Sequence, residues 1–197
     1  MNRNKLLWQD YYQQTQNKPH HVRTQLAAEL NKSGLNKAID CGCGTGNDVR
    51  YLSQLGYQVS GFDVNEDSVA LCRKRFAGDD SVHIAHSNFE QFEYSRCGVV
   101  IAHSSLYFSD PLYFVQTWQK ISQSLQSRGV FSGDFLGIDD SWVLEGNHQT
   151  NPISRLQIED LFSDFQIIQF DERNELGKTA LGREKHWHTY SVVAVKN

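Results

Sequence analysis

Short apolar runs recur along the chain, each too brief for a helix and most followed by a longer stretch with apolar residues three and four apart. The runs are Ala38 to Cys41, Gln58 to Phe62, Val82 to Ala85, Val99 to Ala102, Val130 to Phe135, Phe165 to Phe170 and His186 to Val195. Such alternation predicts crossover units, and with them an α/β fold: a mostly parallel sheet with helices on both faces. Several helix starts are marked. Asp110-Pro111 predicts an N-cap with a first-turn proline, ahead of an apolar stripe of Val115, Trp118 and Leu125. Asn65 is placed to cap the helix after the second strand, with Val64 and Val69 as its hydrophobic staple. Ser154 and Gln157 fit a capping box before Leu156, Leu161 and Phe162. No clear helix separates the last two strand candidates. The connection Asp171 to Lys185 is polar and carries Gly177 and Gly182, which predicts a long hairpin and a final antiparallel strand.

Composition narrows the class. A chain of 197 residues points to one domain, and 39% hydrophobic, 21% charged and 12% aromatic residues exclude disorder as the main state. Net charge is −4 with no Lys/Arg stripe, so a nucleic acid is not the expected partner. The longest uninterrupted apolar run, Val99-Val100-Ile101-Ala102, is far short of a membrane span, and the first ten residues lack the apolar stretch of a signal peptide. Cys41, Cys43, Cys72 and Cys97 then read as reduced thiols, and the cytoplasm is the expected location. The expected partner is a small molecule; oligomeric state is not addressed by the sequence.

The most informative stretch is Ala38-Ile39-Asp40-Cys41-Gly42-Cys43-Gly44-Thr45-Gly46-Asn47-Asp48-Val49, where a strand runs through glycines into a helical stripe of Val49, Leu52 and Leu55. Glycines between a strand and a helix let a ligand lie against bare backbone at the helix N-terminus. A dinucleotide fingerprint would need glycine at 47 or 49, where Asn47 and Val49 stand, and no Gly-Lys-Ser/Thr of a phosphate loop follows. The acidic residue at the strand end followed by G-x-G-x-G resembles the first motif of the class I S-adenosylmethionine-dependent methyltransferases, matched by Asp40, Gly42, Gly44 and Gly46.

That resemblance, strongest from Asp40 to Phe135, implies a Rossmann-like, doubly wound, seven-stranded sheet whose last strand is antiparallel. It also implies S-adenosylmethionine as cofactor and S-adenosylhomocysteine as product. The small size and the Lys185-His186-Trp187-His188 ending look like small bacterial methyltransferases of the tellurite-resistance and general metabolite type. The resemblance places the ribose hydroxyls on Asp63, 21 residues after Gly42, and the adenine on Val64. Asn88 and Phe89 stand where the family often has Asp and an apolar residue at the adenine edge, a departure that an amide carbonyl can still serve. A turn role for Asn88 is the alternative. The stretch Ile101 to Phe108 would line the sulfonium and the acceptor mouth, and Trp8, Tyr11 and Tyr12 would fold over the cofactor or simply dock an N-terminal helix. The implied layout is a single methyltransferase domain over 1–197. A helical cap spans 1–35, the cofactor-binding core 36–135, a substrate-cover loop 136–152, and a C-terminal helix and hairpin 153–197.

Methyl transfer from a sulfonium needs binding, alignment and exclusion of water, and a general base only where the acceptor holds its proton tightly. His103, at the pocket mouth, is the candidate base; a backbone contact with an idle ring is the alternative. Tyr107, Trp142 and His148 are the candidate acceptor contacts, the last two on a long segment between Gly137 and Pro152 of the kind that covers sites. His186, His188 and Tyr190 share one face of the last strand, but no third ligand is set by spacing, so no metal is expected. Cys41 and Cys43 lack the second pair that a zinc site would need. A cofactor-binding subunit without turnover is the rival reading, and a nicotinamide dehydrogenase is disfavoured by the glycine spacing.

Overall fold

The protein is described from a computed structural model, over residues 10–146 and 150–197. Its strands are β1 (Lys37–Cys41), β2 (Gln58–Asp63), β3 (Val82–His86), β4 (Cys97–Ala102), β5 (Leu125–Leu136), β6 (Phe165–Lys178) and β7 (Glu184–Lys196). They form one sheet in the order β3-β2-β1-β4-β5-β7-β6. The first five strands pair in parallel, while β7 pairs antiparallel with both β5 and β6. This is the doubly wound, mostly parallel seven-stranded sheet with an antiparallel last strand that the sequence predicts. The strand order reverses between β1 and β4, and open α/β sheets bind ligands at the carboxyl ends of the strands beside such a point.

The helices are α1 (Val22–Leu30), α2 (Asn47–Gln54), α3 (Glu66–Arg75), α4 (Phe114–Ser124), α5 (Ser141–Leu144) and α6 (Arg155–Leu161), preceded by a helical stretch at 10–15. Two apolar cores cover the two faces of the sheet. One packs Ala27, Val49, Leu52 and Val69 of α1, α2 and α3 against Val99, Val130 and Val193. The other packs Trp118 and Phe162 against Phe131, Phe135 and Val192. Central β4 is buried at every position, which explains why it reads as a continuous apolar run rather than an alternating one.

Local signals are realised unevenly. The capping box forms in full, with the Ser154 hydroxyl accepting from the Gln157 N–H and Gln157 accepting from the Ser154 N–H. Asn65 caps α3 by accepting the Asp67 N–H at 2.9 Å, but Val64 is 70% exposed, so the predicted staple to Val69 is not made. The fourth helix begins at Phe114 and not at Pro111: residues 111–113 form a turn in which Asp110 Oδ1 accepts the Leu112 N–H. That shift turns Phe114, Thr117, Trp118 and Ile121 inward, leaves Val115 exposed, and hands Leu125 to β5.

The predicted hairpin is longer than the apolar runs suggested. Strands β6 and β7 stay paired from Phe165↔Lys196 to Lys178↔Glu184, across most of the polar Asp171 to Lys185 stretch. Pairing of β7 with β5 ends at Leu136↔Thr189, so Glu184 to His188 and their partners on β6 project as a two-stranded arm past the end of β5.

Candidate functional site

The glycine loop after β1 turns on three left-handed residues. Gly42 has φ +72°, and a Cβ there would stand 2.5 Å from the Ser105 Cβ, so only glycine lets the loop meet the chain after β4. Gly46, at φ +75°, is the N-cap of α2 and makes no side-chain cap bond. Gly44 lies between them with open space over its α-carbon, and its N–H donates to Asp63 Oδ2 at 2.9 Å. Asp63 Oδ1 accepts the Asn65 N–H, also at 2.9 Å. The carboxylate at the end of β2 thus holds the glycine loop and starts α3, while each oxygen keeps a further lone pair for a hydroxyl.

Asp40, 4% exposed at the carboxyl end of β1, has no hydrogen-bond partner among the described residues. Burial first, then the nearby Asp48, Cys72 and Asp63, push its carboxyl well above the ordinary carboxylate range. A buried acid among acids, next to an open glycine loop, suits a ligand that brings a positive charge. The α-ammonium of S-adenosylmethionine meets that requirement.

Behind the loop a polar chain runs from the surface inward. The Asp48 carboxylate accepts the Thr24 hydroxyl at 2.7 Å and the His21 N–H at 2.8 Å. With its proton given to Asp48, Thr24 must accept from His103 Nε2 at 3.1 Å, which assigns the imidazole proton to Nε2. His103 Nδ1 is then a buried lone pair with no hydrogen-bond partner, 3.9 Å from Asp134 Oδ2. Burial, which outweighs the pull of Asp134, holds the His103 pKa well below its usual value, so the ring is neutral at pH 7. His21 stacks on it with centroids 4.3 Å apart. Asp134 is bound by Arg23 Nη2 at 2.6 Å, the Ser191 hydroxyl at 2.7 Å and the Ser104 N–H at 2.8 Å. Ser104 adopts φ +50°, a conformation non-glycine residues seldom take, directly after His103.

The other expected residues fall at varying distance from this centre. Tyr12 is buried, and burial followed by Asp63 raises its phenol pKa. Asn47 Nδ2 donates to the Thr15 carbonyl at 2.9 Å and so ties the 10–15 helix to the start of α2. Val64 offers an exposed apolar face beside Asp63. Asn88 Oδ1 accepts the Gln91 N–H at 2.9 Å in a turn, and the Phe89 ring packs edge-on against Phe62 in the core, 5.2 Å between centroids. Tyr107 is buried and touches Phe108, whose ring lies 5.9 Å from Trp142 on α5. Trp8 and His148 lie outside the described residues. His186 Nε2 pairs with Asn174 Oδ1 at 2.6 Å, while His188 Nδ1 accepts the Asp139 N–H at 3.0 Å. Among the described residues no three side chains group as metal ligands.

Sequence reasoning passed over Arg23, Thr24, Asp48 and Asp134. One signal for them was present: Asp134 is a lone charge inside the apolar strand Val130 to Leu136, and such a charge requires a buried partner.

Comparison with known proteins bears on the fold and on the domain. A family model described as "Methyltransferase domain" matches residues 39–132. The probable S-adenosyl-L-methionine-dependent methyltransferase TehB of Haemophilus influenzae is 51% identical over 35 residues, which is 18% of this chain and 12% of that protein. The crystal structure of H. influenzae TehB superposes with a TM-score of 0.72 at 16% identity, covering 90% of this chain and 63% of that one. The N-methyltransferase NodS of Bradyrhizobium japonicum, in complex with S-adenosyl-L-homocysteine, gives a TM-score of 0.64 at 13% identity, covering 88% of this chain and 85% of that one. At these identities the structural likeness speaks to the fold. Among the described residues no helix is long and apolar enough to cross a membrane.

Proposed function

With a methyltransferase domain at residues 39–132 and the class I S-adenosylmethionine-dependent methyltransferase fold around it, we propose that this protein methylates a small-molecule acceptor. The observation that carries the reading is Asp40, a buried carboxylate without a hydrogen-bond partner among the described residues, at the mouth of an open glycine loop.

When bound, S-adenosylmethionine supplies an electrophilic methyl group on a sulfonium. Asp40 takes the ammonium, Gly42, Gly44 and Gly46 let the ligand approach backbone, and Asp63 accepts the ribose hydroxyls without releasing Gly44. Val64 covers one face of the adenine, with Asn88 and Phe89 near its edge. Tyr12 closes the pocket from the N-terminal side. His103 is the base that takes the acceptor's proton, and the nearby Asp134 stabilises the imidazolium that forms. Tyr107 and Trp142 flank the acceptor. The aromatic side chains on the acceptor side and the net charge of −4 favour a small organic acceptor in the cytoplasm over a nucleic acid.

Calorimetric titration with S-adenosylmethionine and S-adenosylhomocysteine, on wild type and Asp63→Ala, tests the cofactor half. The expectation is at least tenfold weaker binding in the variant, about 1.4 kcal/mol. Label transfer from methyl-tritiated cofactor to a panel of phenols, thiols and nitrogen heterocycles tests the other half. Binding without transfer to any of them would favour a cofactor-binding subunit instead.

A further inference from the structure

The acceptor side contains a buried ion pair that neither the glycine loop nor His103 uses. Asp140, fully buried, caps α5: its Oδ1 accepts hydrogen bonds from the Trp142 N–H at 3.0 Å and from the Lys185 ammonium, and its Oδ2 accepts the His188 N–H at 3.0 Å. Lys185 lies on the projecting arm, its side chain only 3% exposed. Its ammonium stands 4.1 Å from the Trp142 ring centroid and 4.4 Å from that of Trp187. The two indoles are themselves 5.6 Å apart at 61°. Trp142 continues to Phe108 and from there to Tyr107, beside the residues that follow His103.

An ammonium sheds its water at high cost, and a buried pair of this kind returns little net stability over a well-packed hydrocarbon. What it does supply is direction. The charge meets one carboxylate and two aromatic faces, and it satisfies all of them only when the arm, α5 and both indoles hold one arrangement. A methionine in the same place would fill the volume and leave Trp142 free to swing on a single-turn helix that has no fully buried residue.

We infer that Lys185 is a positioning residue for the acceptor: clasped to Asp140 between Trp142 and Trp187, it fixes the two indoles as one wall of the acceptor side. The kinetic consequence rests on the methyl-transfer reading; the structural consequence does not.

The test is hydrogen exchange followed by mass spectrometry on wild type, Lys185→Met and Lys185→Ala. In Lys185→Met, amides 142–144 should exchange about tenfold or more faster, while those of β4 keep their rates. In Lys185→Ala, added n-propylammonium chloride should restore the slow rate, and sodium chloride of equal ionic strength should not. Wild-type exchange in Lys185→Met, or a salt effect without ammonium selectivity, overturns the inference. With an acceptor in hand, Lys185→Met should raise its KM about fivefold or more and leave kcat and S-adenosylhomocysteine affinity close to wild type. A loss confined to kcat also overturns it. Should the wild type methylate nothing, the methyl-transfer reading falls, and the exchange experiment still decides whether Lys185 holds the wall.

Discussion

Replacing Arg23 with Met should cost more stability than any surface change, and by an amount the geometry bounds. Arg23 and Asp134 are both 8% exposed in their side chains, and their contact is 2.6 Å. Losing one partner of a buried pair leaves an uncompensated charge, typically worth about 3–5 kcal/mol. Asp134 keeps the Ser104 N–H and the Ser191 hydroxyl, and hydrogen bonds to a charged group are each worth roughly 1.5–3 kcal/mol, so the low end of that range applies. The expected loss is about 3 kcal/mol in urea unfolding at neutral pH, or a fall in Tm of about 6–12 °C for a chain of this size. Adding Asp134→Asn should recover most of it, since the buried charge is then gone from both sides.

The pH dependence carries a sign that separates this account from simple loss of packing. In the wild type, burial pushes the Asp134 carboxyl up, but Arg23, His103 and the hydrogen bonds from Ser191 and Ser104 bring it below its ordinary value. A depressed acid contributes stability above its unfolded pKa and loses it as pH falls through the folded one. Without Arg23, burial dominates and the folded pKa rises above the unfolded one. Protonation then favours the folded state, and the gap between variant and wild type should narrow as pH falls from that raised pKa toward the ordinary carboxylate range. A proton taken up instead by His103 beside Asp134 acts in the same direction. A cost below about 1 kcal/mol, or a gap that stays constant with pH, would refute the reasoning.

Two further outcomes are expected. Since Asp40 is raised in the ligand-free protein by burial and then by Asp48, Cys72 and Asp63, capture of an ammonium must expel its proton at low pH. Affinity for S-adenosylhomocysteine should therefore fall as pH drops below that raised pKa, with proton release seen by calorimetry in buffers of different ionisation enthalpy. 5′-Methylthioadenosine, which lacks the amino-acid end, should show no such trend, and a shared trend would remove Asp40 from the role. Gly42→Ala forces a left-handed alanine, with its Cβ 2.5 Å from that of Ser105; the summed strain and overpacking should cost about 2–5 kcal/mol in thermal melts, with partial recovery in the Ser105→Gly background.

Much of this was legible before any coordinates. The strand-glycine-helix run at Asp40 to Val49 and the strand-end Asp63 are local in sequence, and local pattern is what a sequence displays directly. The hairpin was legible from the missing helix between Phe170 and His186, but its length was not. Polar residues such as Glu172, Arg173 and Asn174 say nothing of strand pairing when their only partner is the strand next to them. The contacts Arg23–Asp134 and Asp140–Lys185 join positions 111 and 45 residues apart, and no periodicity announces them. Val64 shows the opposite failure: its spacing fits a staple, yet the Asn65 side chain caps α3 without help, so nothing draws the valine inward.

The arm also determines how the molecule meets its neighbours in solution. Strand β6 is one margin of the sheet, and its inner half shows Ile168 at 42% exposure. An open margin of this kind invites a strand from another molecule to add on. Farther out the same strand reads Asp171-Glu172-Arg173-Asn174-Glu175, all exposed, with Arg173 paired to Glu175. Another strand adding there would have to strip water from those charges, which discourages sticking between molecules. Only Leu176 near the tip, 79% exposed, breaks the hydrophilic border. The arm that carries Lys185 and Trp187 therefore also guards the protein against aggregation.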